Sequence, residues 1–180
     1  MNQTQEERDG DAAAATVPRS GDLLETYGPA DFEWGLFTLE GDTTSLRSFA
    51  GDVLFINLWA TWCAPCVAEL ASIERLRDSL GDAPVTFLIV SPEPVERVAA
   101  FVNRHGYRLP FHVERREMPA AFDLRALPTT YIVDANGQIV LRHRGAADWA
   151  DDDVRAFLQY LVGSAGPASA GPTGRGTVAP

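Results

Sequence analysis

Val53-Leu54-Phe55-Ile56-Asn57-Leu58-Trp59-Ala60-Thr61-Trp62-Cys63-Ala64-Pro65-Cys66 carries an apolar run straight into the only two cysteines of the chain. The run Val53 to Trp59 is interrupted only by Asn57, which predicts a central parallel strand buried on both faces. From Cys63 to about Leu80 the apolar residues recur at helical spacing, and Gly81 marks the stop. A C-x-x-C pair that opens a helix sets its sulfurs one turn apart on one side, within reach of a disulfide with little backbone movement. Cys63 then lies at the helix N-terminus, where unpaired N–H groups and the positive end of the dipole stabilise a thiolate. Cys66, a turn deeper, is placed to act as the resolving partner of an attacking Cys63. Pro65 fits an early helical position because the N–H it lacks would have been unpaired there. The pair therefore predicts dithiol-disulfide chemistry.

Outward from this centre the pattern alternates. Phe32 to Leu39 and Thr43 to Leu46 flank Gly41-Asp42 and read as a hairpin. Val85 to Val90 is a second buried strand, and Val95 to His105 a helix ended by Gly106. Phe111 to Val113 reads as a short strand and Pro119 to Phe122 as a short helical turn. Thr130 to Val133 and Gln138 to Leu141 flank Asn136-Gly137, a strong hairpin signal, and Asp151 to Val162 is a last helix with three aspartates suited to its N-terminal dipole. This order predicts an α/β fold, a mixed sheet covered by helices on its faces. Met1 to Tyr27 has no sustained periodicity, and Gly163 to Pro180 has almost no large apolar group to offset the entropy of ordering. The expected organisation is a flexible N-terminal tail over 1–28, one folded domain over 29–162 and a disordered C-terminal tail over 163–180.

The 180 residues are 46% hydrophobic, enough for one ordinary core. Net charge is −10, with fifteen arginines and no lysine, which argues against nucleic acid or an anionic membrane surface as partner. Two cysteines are too few for a structural disulfide framework, and His105, His112 and His143 are not spaced to complete a zinc site with them, so no metal is expected. No stretch approaches the roughly 18 apolar residues of a transmembrane helix, and Met1 to Gly10 is acidic and polar, so no export signal is expected.

Glu69 is the less obvious candidate. At about 100° per residue it falls within about 60° of Cys66, Ile73, Leu76 and Leu80, in the middle of the helix's apolar stripe. Burial there would raise its pKa toward a range where it exchanges a proton with a cysteine thiol. The plainer reading is a glutamate favoured by the helix dipole and reaching water. Asn57 reads equally as a core amide satisfied by backbone groups or as part of the site. Trp59 reads as core, and Trp62, next to the thiol, as a rim that substrates touch. Pro128, in Leu127-Pro128-Thr129-Thr130, opens a strand where a missing ladder donor is tolerated.

Trp62-Cys63-Ala64-Pro65-Cys66 behind a buried strand, with Leu127-Pro128-Thr129-Thr130 opening a later one, resembles the thioredoxin fold. Asn57-Leu58-Trp59-Ala60-Thr61-Trp62-Cys63-Ala64-Pro65-Cys66 resembles more closely its TlpA/ResA-like branch of bacterial disulfide reductases. The resemblance covers about residues 29 to 162. It implies a thioredoxin-like fold with an N-terminal hairpin and a strand-helix insert, here Phe111 to Phe122. It also implies a monomeric thiol-disulfide oxidoreductase that reduces disulfides in client proteins through Cys63 and Cys66, with no organic cofactor. Electrons would come from an upstream thiol protein, and apocytochrome or other envelope proteins would be the clients, which places the chain in the cell envelope, with the cytoplasm as the alternative. A glutamate three residues after the second cysteine is an active-site feature of the branch, which favours a catalytic Glu69. Thioredoxin proper carries a buried aspartate where this chain has Asn57, so proton handling would fall to Glu69. The resemblance further implies a cis Leu127-Pro128 bond packed against the disulfide, with the residue-127 backbone free to pair with an extended client. Trp62, Ala64, Pro65, Leu127 and Pro128 would form the client-binding surface, Ala64 and Pro65 also helping to set the redox poise.

Two rival functions share the fold. A peroxiredoxin-type peroxidase needs Pro-x-x-x-Thr-x-x-Cys, and Ile56 and Ala60 occupy those places before Cys63. A non-catalytic copper carrier would use the cysteine pair as soft ligands, with His143 as the late candidate to join them.

Overall fold

A computed structural model describes Val17, residues 26–114 and residues 118–164. The elements in chain order are β1 (Gly35–Thr38), β2 (Thr43–Ser45), β3 (Val53–Leu58), α1 (Ala64–Leu80), β4 (Val85–Ser91), α2 (Val95–His105), β5 (Phe111–Glu114), β6 (Thr129–Val133), β7 (Ile139–Arg144) and α3 (Asp152–Ser164). The seven strands form one mixed sheet in the order β2-β1-β5-β4-β3-β6-β7. The centre is parallel, β3 beside β4 and β4 beside β5, while β6, β7 and the β1-β2 hairpin run antiparallel to their neighbours. All six residues of β3 are buried, which is why its sequence is apolar almost throughout rather than alternating.

The two faces of β3 feed two separate cores. Val53 and Phe55 join Leu70, Ile73 and Leu76 of α1, Val98 of α2 and Phe157 and Leu158 of α3. Leu54, Ile56 and Leu58 join Trp34, Leu46, Phe122 and Tyr131 on the other side. All three described helices therefore pack on one face, whereas helices were expected on both. The reason is topological: β3-α1-β4 and β4-α2-β5 step across the sheet in the same direction, and right-handed crossovers then put both helices on the same side. The opposite face is covered by a 3-10 turn at Leu46–Phe49 and by irregular chain, including Phe32, Met118 and Leu124. Trp34 stacks on Phe122 at 4.8 Å and Phe122 meets Tyr131 edge-on at 5.1 Å, so aromatic area stands where a helix would otherwise supply it.

The expected helical turn at Pro119–Phe122 is a single turn closed by Phe122 N–H donating to Pro119 O at 2.9 Å, with no helix continuing from it. One i to i+3 bond does not repay helix nucleation. Of the insert between Phe111 and Phe122, residues 115–117 lie outside the described residues. So do the expected tails, apart from Val17, residues 26–28 and residues 163–164; Tyr27 and Gly28 already pair with Ile139, and α3 runs to Ser164. No helix among the described residues is long and apolar enough to cross a membrane.

The hairpin signal Asn136-Gly137 is used as the sequence suggests. Gly137 has φ +80°, and a Cβ on it would meet Phe32 Cε2 at 2.7 Å. Gly137→Ala is therefore expected to destabilise the fold by about 1–2 kcal/mol, the cost of a left-handed L-residue, or more if Phe32 cannot move. The urea midpoint measures this, and an unchanged midpoint would mean that the turn relaxes freely.

Candidate active site

Cys63 sits at the N-cap of α1 in an extended conformation, as the last residue of the five-residue loop leaving β3. Its sulfur is bonded to that of Cys66, with Cα atoms 5.3 Å apart. The N–H of Cys66 donates to Cys63 Sγ at 3.3 Å, so the sulfur occupies the place that a serine or aspartate oxygen takes in an ordinary cap. Pro65 stands in the first turn and leaves that donor without a competitor. On reduction, the same N–H and the positive end of the helix favour the thiolate of Cys63. Cys66 is fully buried and Cys63 is 6% exposed, so the outer sulfur is also the one a disulfide can approach. Trp62 beside it is 69% exposed, and Ala64 and Pro65 are exposed as well. Trp59, three residues earlier, is fully buried between Phe101 and Phe111.

Glu69 lies within the helix's buried stripe and is 2% exposed. Its carboxyl receives Asn57 Nδ2 on Oε1 at 2.9 Å, and Trp149 Nε1 at 2.8 Å and the Ala147 N–H at 3.1 Å on Oε2. Burial raises its pKa from 4.5 to about 7, outweighing the three donors, each of which pulls the other way. The group thus sits near neutrality, one helical turn from Cys66, as a proton-exchanging acid requires. Asn57 is fully buried; its Nδ2 also reaches Thr130 Oγ1 at 2.8 Å, while its Oδ1 has no partner among the described residues. The asparagine is thus a side-chain ligand of Glu69 rather than an amide paired with backbone. Trp149 carries no signal in the sequence as a site residue, since it lies 80 residues beyond Glu69. Trp149→Phe is expected to raise the Glu69 pKa by about one to two units more, because a lost donor to a charged group is worth roughly 1.5–3 kcal/mol. Titration of the carboxyl carbon resonance reads it, and a fall would show that Trp149 acts otherwise.

The strand register brings the late proline to the same place. Leu58, the last residue of β3, pairs with Thr129, so Pro128 stands at the end of β3 from which the cysteine loop departs. The Leu127–Pro128 bond is cis, Pro128 O accepts from Gly145 N–H at 2.9 Å, and Leu127 is half-buried between the two cores. His143 lies across β6 from Asn57, opposite Thr130, and packs edge-on against Trp149 at 5.4 Å. Among the described residues, no group of three or more His, Cys, Asp or Glu side chains is arranged to hold a metal ion. Glu93, which no motif marks, closes on the cysteine loop by two bonds to Thr61.

Comparison with known proteins agrees with this geometry. Residues 29–142 match the family described as AhpC/TSA. A thiol-disulfide oxidoreductase ResA of Halalkalibacterium halodurans is 34% identical over 125 residues, 68% of this chain and 70% of that protein. A thioredoxin-like protein YneN of Bacillus subtilis is 34% identical over 116 residues, 63% of this chain and 68% of that protein. Among solved structures, a thiol:disulfide interchange protein of the thioredoxin family from Chlorobium tepidum superposes with a TM-score of 0.62 at 24% identity, covering 78% of this chain and 99% of that one, and so supports the fold. With a disulfide-forming pair capping a helix on a thioredoxin-like sheet, and with this family match and these relatives, the chain is a member of the AhpC/TSA family and, within it, a TlpA/ResA-like thiol-disulfide oxidoreductase.

Proposed function

We propose that the chain reduces disulfides in client proteins, with Cys63 as the attacking sulfur, Cys66 as the resolving sulfur and Glu69 as the acid-base group. The observation that carries this is the disulfide at the cap of α1 with a buried carboxyl of pKa about 7 one turn below it. The Cys63 thiolate attacks one sulfur of the client disulfide, giving a mixed disulfide and releasing the other client sulfur as a thiolate. Cys66 then gives its proton to Glu69 and attacks Cys63 Sγ, so that the second client sulfur leaves as a thiolate and the Cys63–Cys66 disulfide closes. Two electrons have passed to the client, and an upstream thiol protein returns them; no organic cofactor takes part.

Trp62, Ala64 and Pro65 on the loop side, and Leu127 and Pro128 on the strand side, form the client-binding surface. The indole of Trp62 supports this by its place, since it stands exposed beside Cys63 and offers an amphipathic ring to whatever approaches the sulfur. The chain works as a monomer in the cell envelope, as its relationship to the ResA-like branch suggests. A peroxidase is disfavoured by Ile56 and Ala60 at the two positions where that chemistry needs proline and threonine. A copper carrier is disfavoured because His143, its late candidate ligand, packs edge-on against Trp149 and forms no three-ligand group with the two cysteines among the described residues.

Expressing a Cys66→Ser variant in cells and isolating its mixed disulfides tests the reading. Envelope proteins attached through Cys63 are expected. Adducts lacking Cys63, or no adducts under conditions where a thioredoxin variant of the same kind gives them, would overturn it.

A further inference from the structure

We propose that Glu93 is the positioning residue that holds the Thr61–Cys63 segment, and with it the Trp62 platform and the Cys63 sulfur, in the geometry for attack on a client disulfide. The inference rests on the reading that Cys63 attacks. Between the end of β3 and the start of α1 the chain has only residues 59–63 in which to change direction. Trp59 N–H donates to Val90 O at 3.1 Å, and Cys63 N–H to Ala60 O at 3.1 Å, so both ends of this loop are tied by backbone. Its middle is tied by a side chain from another element. Thr61 N–H donates to Glu93 Oε2 at 2.6 Å, and Thr61 Oγ1 donates to Glu93 Oε1 at 2.9 Å.

The fork uses both oxygens of one carboxyl on one residue, so it fixes orientation as well as distance. Glu93 is itself held. Its Oε2 receives Ser91 Oγ at 3.3 Å, Ser91 Oγ accepts the Glu93 N–H at 3.2 Å, and Arg97 Nη1 lies 3.6 Å from Oε1. It is 8% exposed and stands between Pro92 and Pro94, where the following proline restricts its backbone to extended conformations. A buried carboxyl on so stiff a segment offers a fixed receptor for the loop. Trp62, 69% exposed, lies between the clamped Thr61 and the capping Cys63, so its backbone is held on both sides. Glu69 serves the proton, and Glu93 serves the geometry.

The test measures single-turnover attack of the reduced full chain on a chromogenic aryl disulfide, as a rate per folded molecule, alongside thermal melting. Glu93→Ala is expected to slow attack by about ten- to hundredfold, the range that misplacement of a reacting group by about 1 Å produces. Glu93→Gln is expected to restore the rate to within about threefold, since its amide oxygen accepts the Thr61 N–H and its NH₂ donates to Thr61 Oγ1. Thr61→Val should fall between, and adding Glu93→Ala to it should cost less than in the parent, because the two residues share one interaction. A Glu93→Ala variant that melts earlier but attacks at the parent rate would show a purely structural role and overturn the proposal. So would a Glu93→Gln variant as slow as Glu93→Ala, which would point to charge rather than placement. Should the Glu93→Ala variant not fold, Thr61→Val decides, with an undiminished rate counting against the clamp. A parent rate that survives Cys63→Ser would instead sink the reading of Cys63 as attacker, which keeps the two failures apart.

Discussion

Cys63→Ser is expected to lose disulfide reduction by at least about 10³-fold, the scale on which removal of a nucleophile acts. The serine hydroxyl can occupy the N-cap and accept the Cys66 N–H that now reaches Cys63 Sγ at 3.3 Å, so the helix start should survive and the melting temperature should stay close to that of the reduced parent, which likewise lacks the disulfide. Cys66→Ser is expected to behave differently, keeping the first attack but stopping at the mixed disulfide. A first-turnover burst of one released client thiol per molecule, followed by stalling, is the measurement that separates the two sulfurs. Equal loss of the burst in both variants would deny Cys63 its role as first attacker. The asymmetry follows from placement. Cys63 holds the cap and retains some exposure, while Cys66 has none.

Glu69→Gln carries the second large effect, in both rate and stability. With Glu69 as the proposed acceptor of the Cys66 proton, its removal is expected to cost about 10²-fold or more, and the loss should appear in the resolving step, with its pH dependence flattened near neutrality. The stability effect has a definite sign. Glu69 holds its proton up to about pH 7 in the native chain but only to about 4.5 when unfolded, so the native state binds more protons over that interval. Native stability accordingly falls as pH rises from about 4.5 to 7, and the full penalty, about 3 kcal/mol at 1.36 kcal/mol per pH unit, stands above neutrality. Glu69→Gln should remove this slope. The amide fits if Asn57 turns its unpaired Oδ1 toward the new NH₂ while Trp149 and Ala147 keep their acceptor. Denaturation series at pH 5 and pH 8 check it: convergence of the variant's two curves supports a buried acid, whereas a parent chain equally stable at both pH values would show that Glu69 does not titrate in this range.

The parts of the site that were legible in sequence lie within one or two helical turns. Cys63, Pro65, Cys66 and Glu69 belong to a single helix start, where spacing alone fixes which side chains share a face. The apolar run of β3 declared its burial on both faces for a similarly local reason. The turn expected at Pro119–Phe122 is present, but the helix of the strand-helix insert does not follow from it, since Phe122 packs against Trp34 and Tyr131 and the chain leaves after one bond.

The sequence by itself determined the cysteine-capped helix, the buried strand before it and a carboxyl in the helix's apolar stripe, because each depends on neighbours a few residues away. Only the tertiary structure decided what that carboxyl touches, which helices share a face of the sheet and what steadies the loop. Trp149 meets Glu69 across 80 residues, and Glu93 meets Thr61 across 32. Contacts at such separations are set by strand order and loop closure, which no local periodicity encodes.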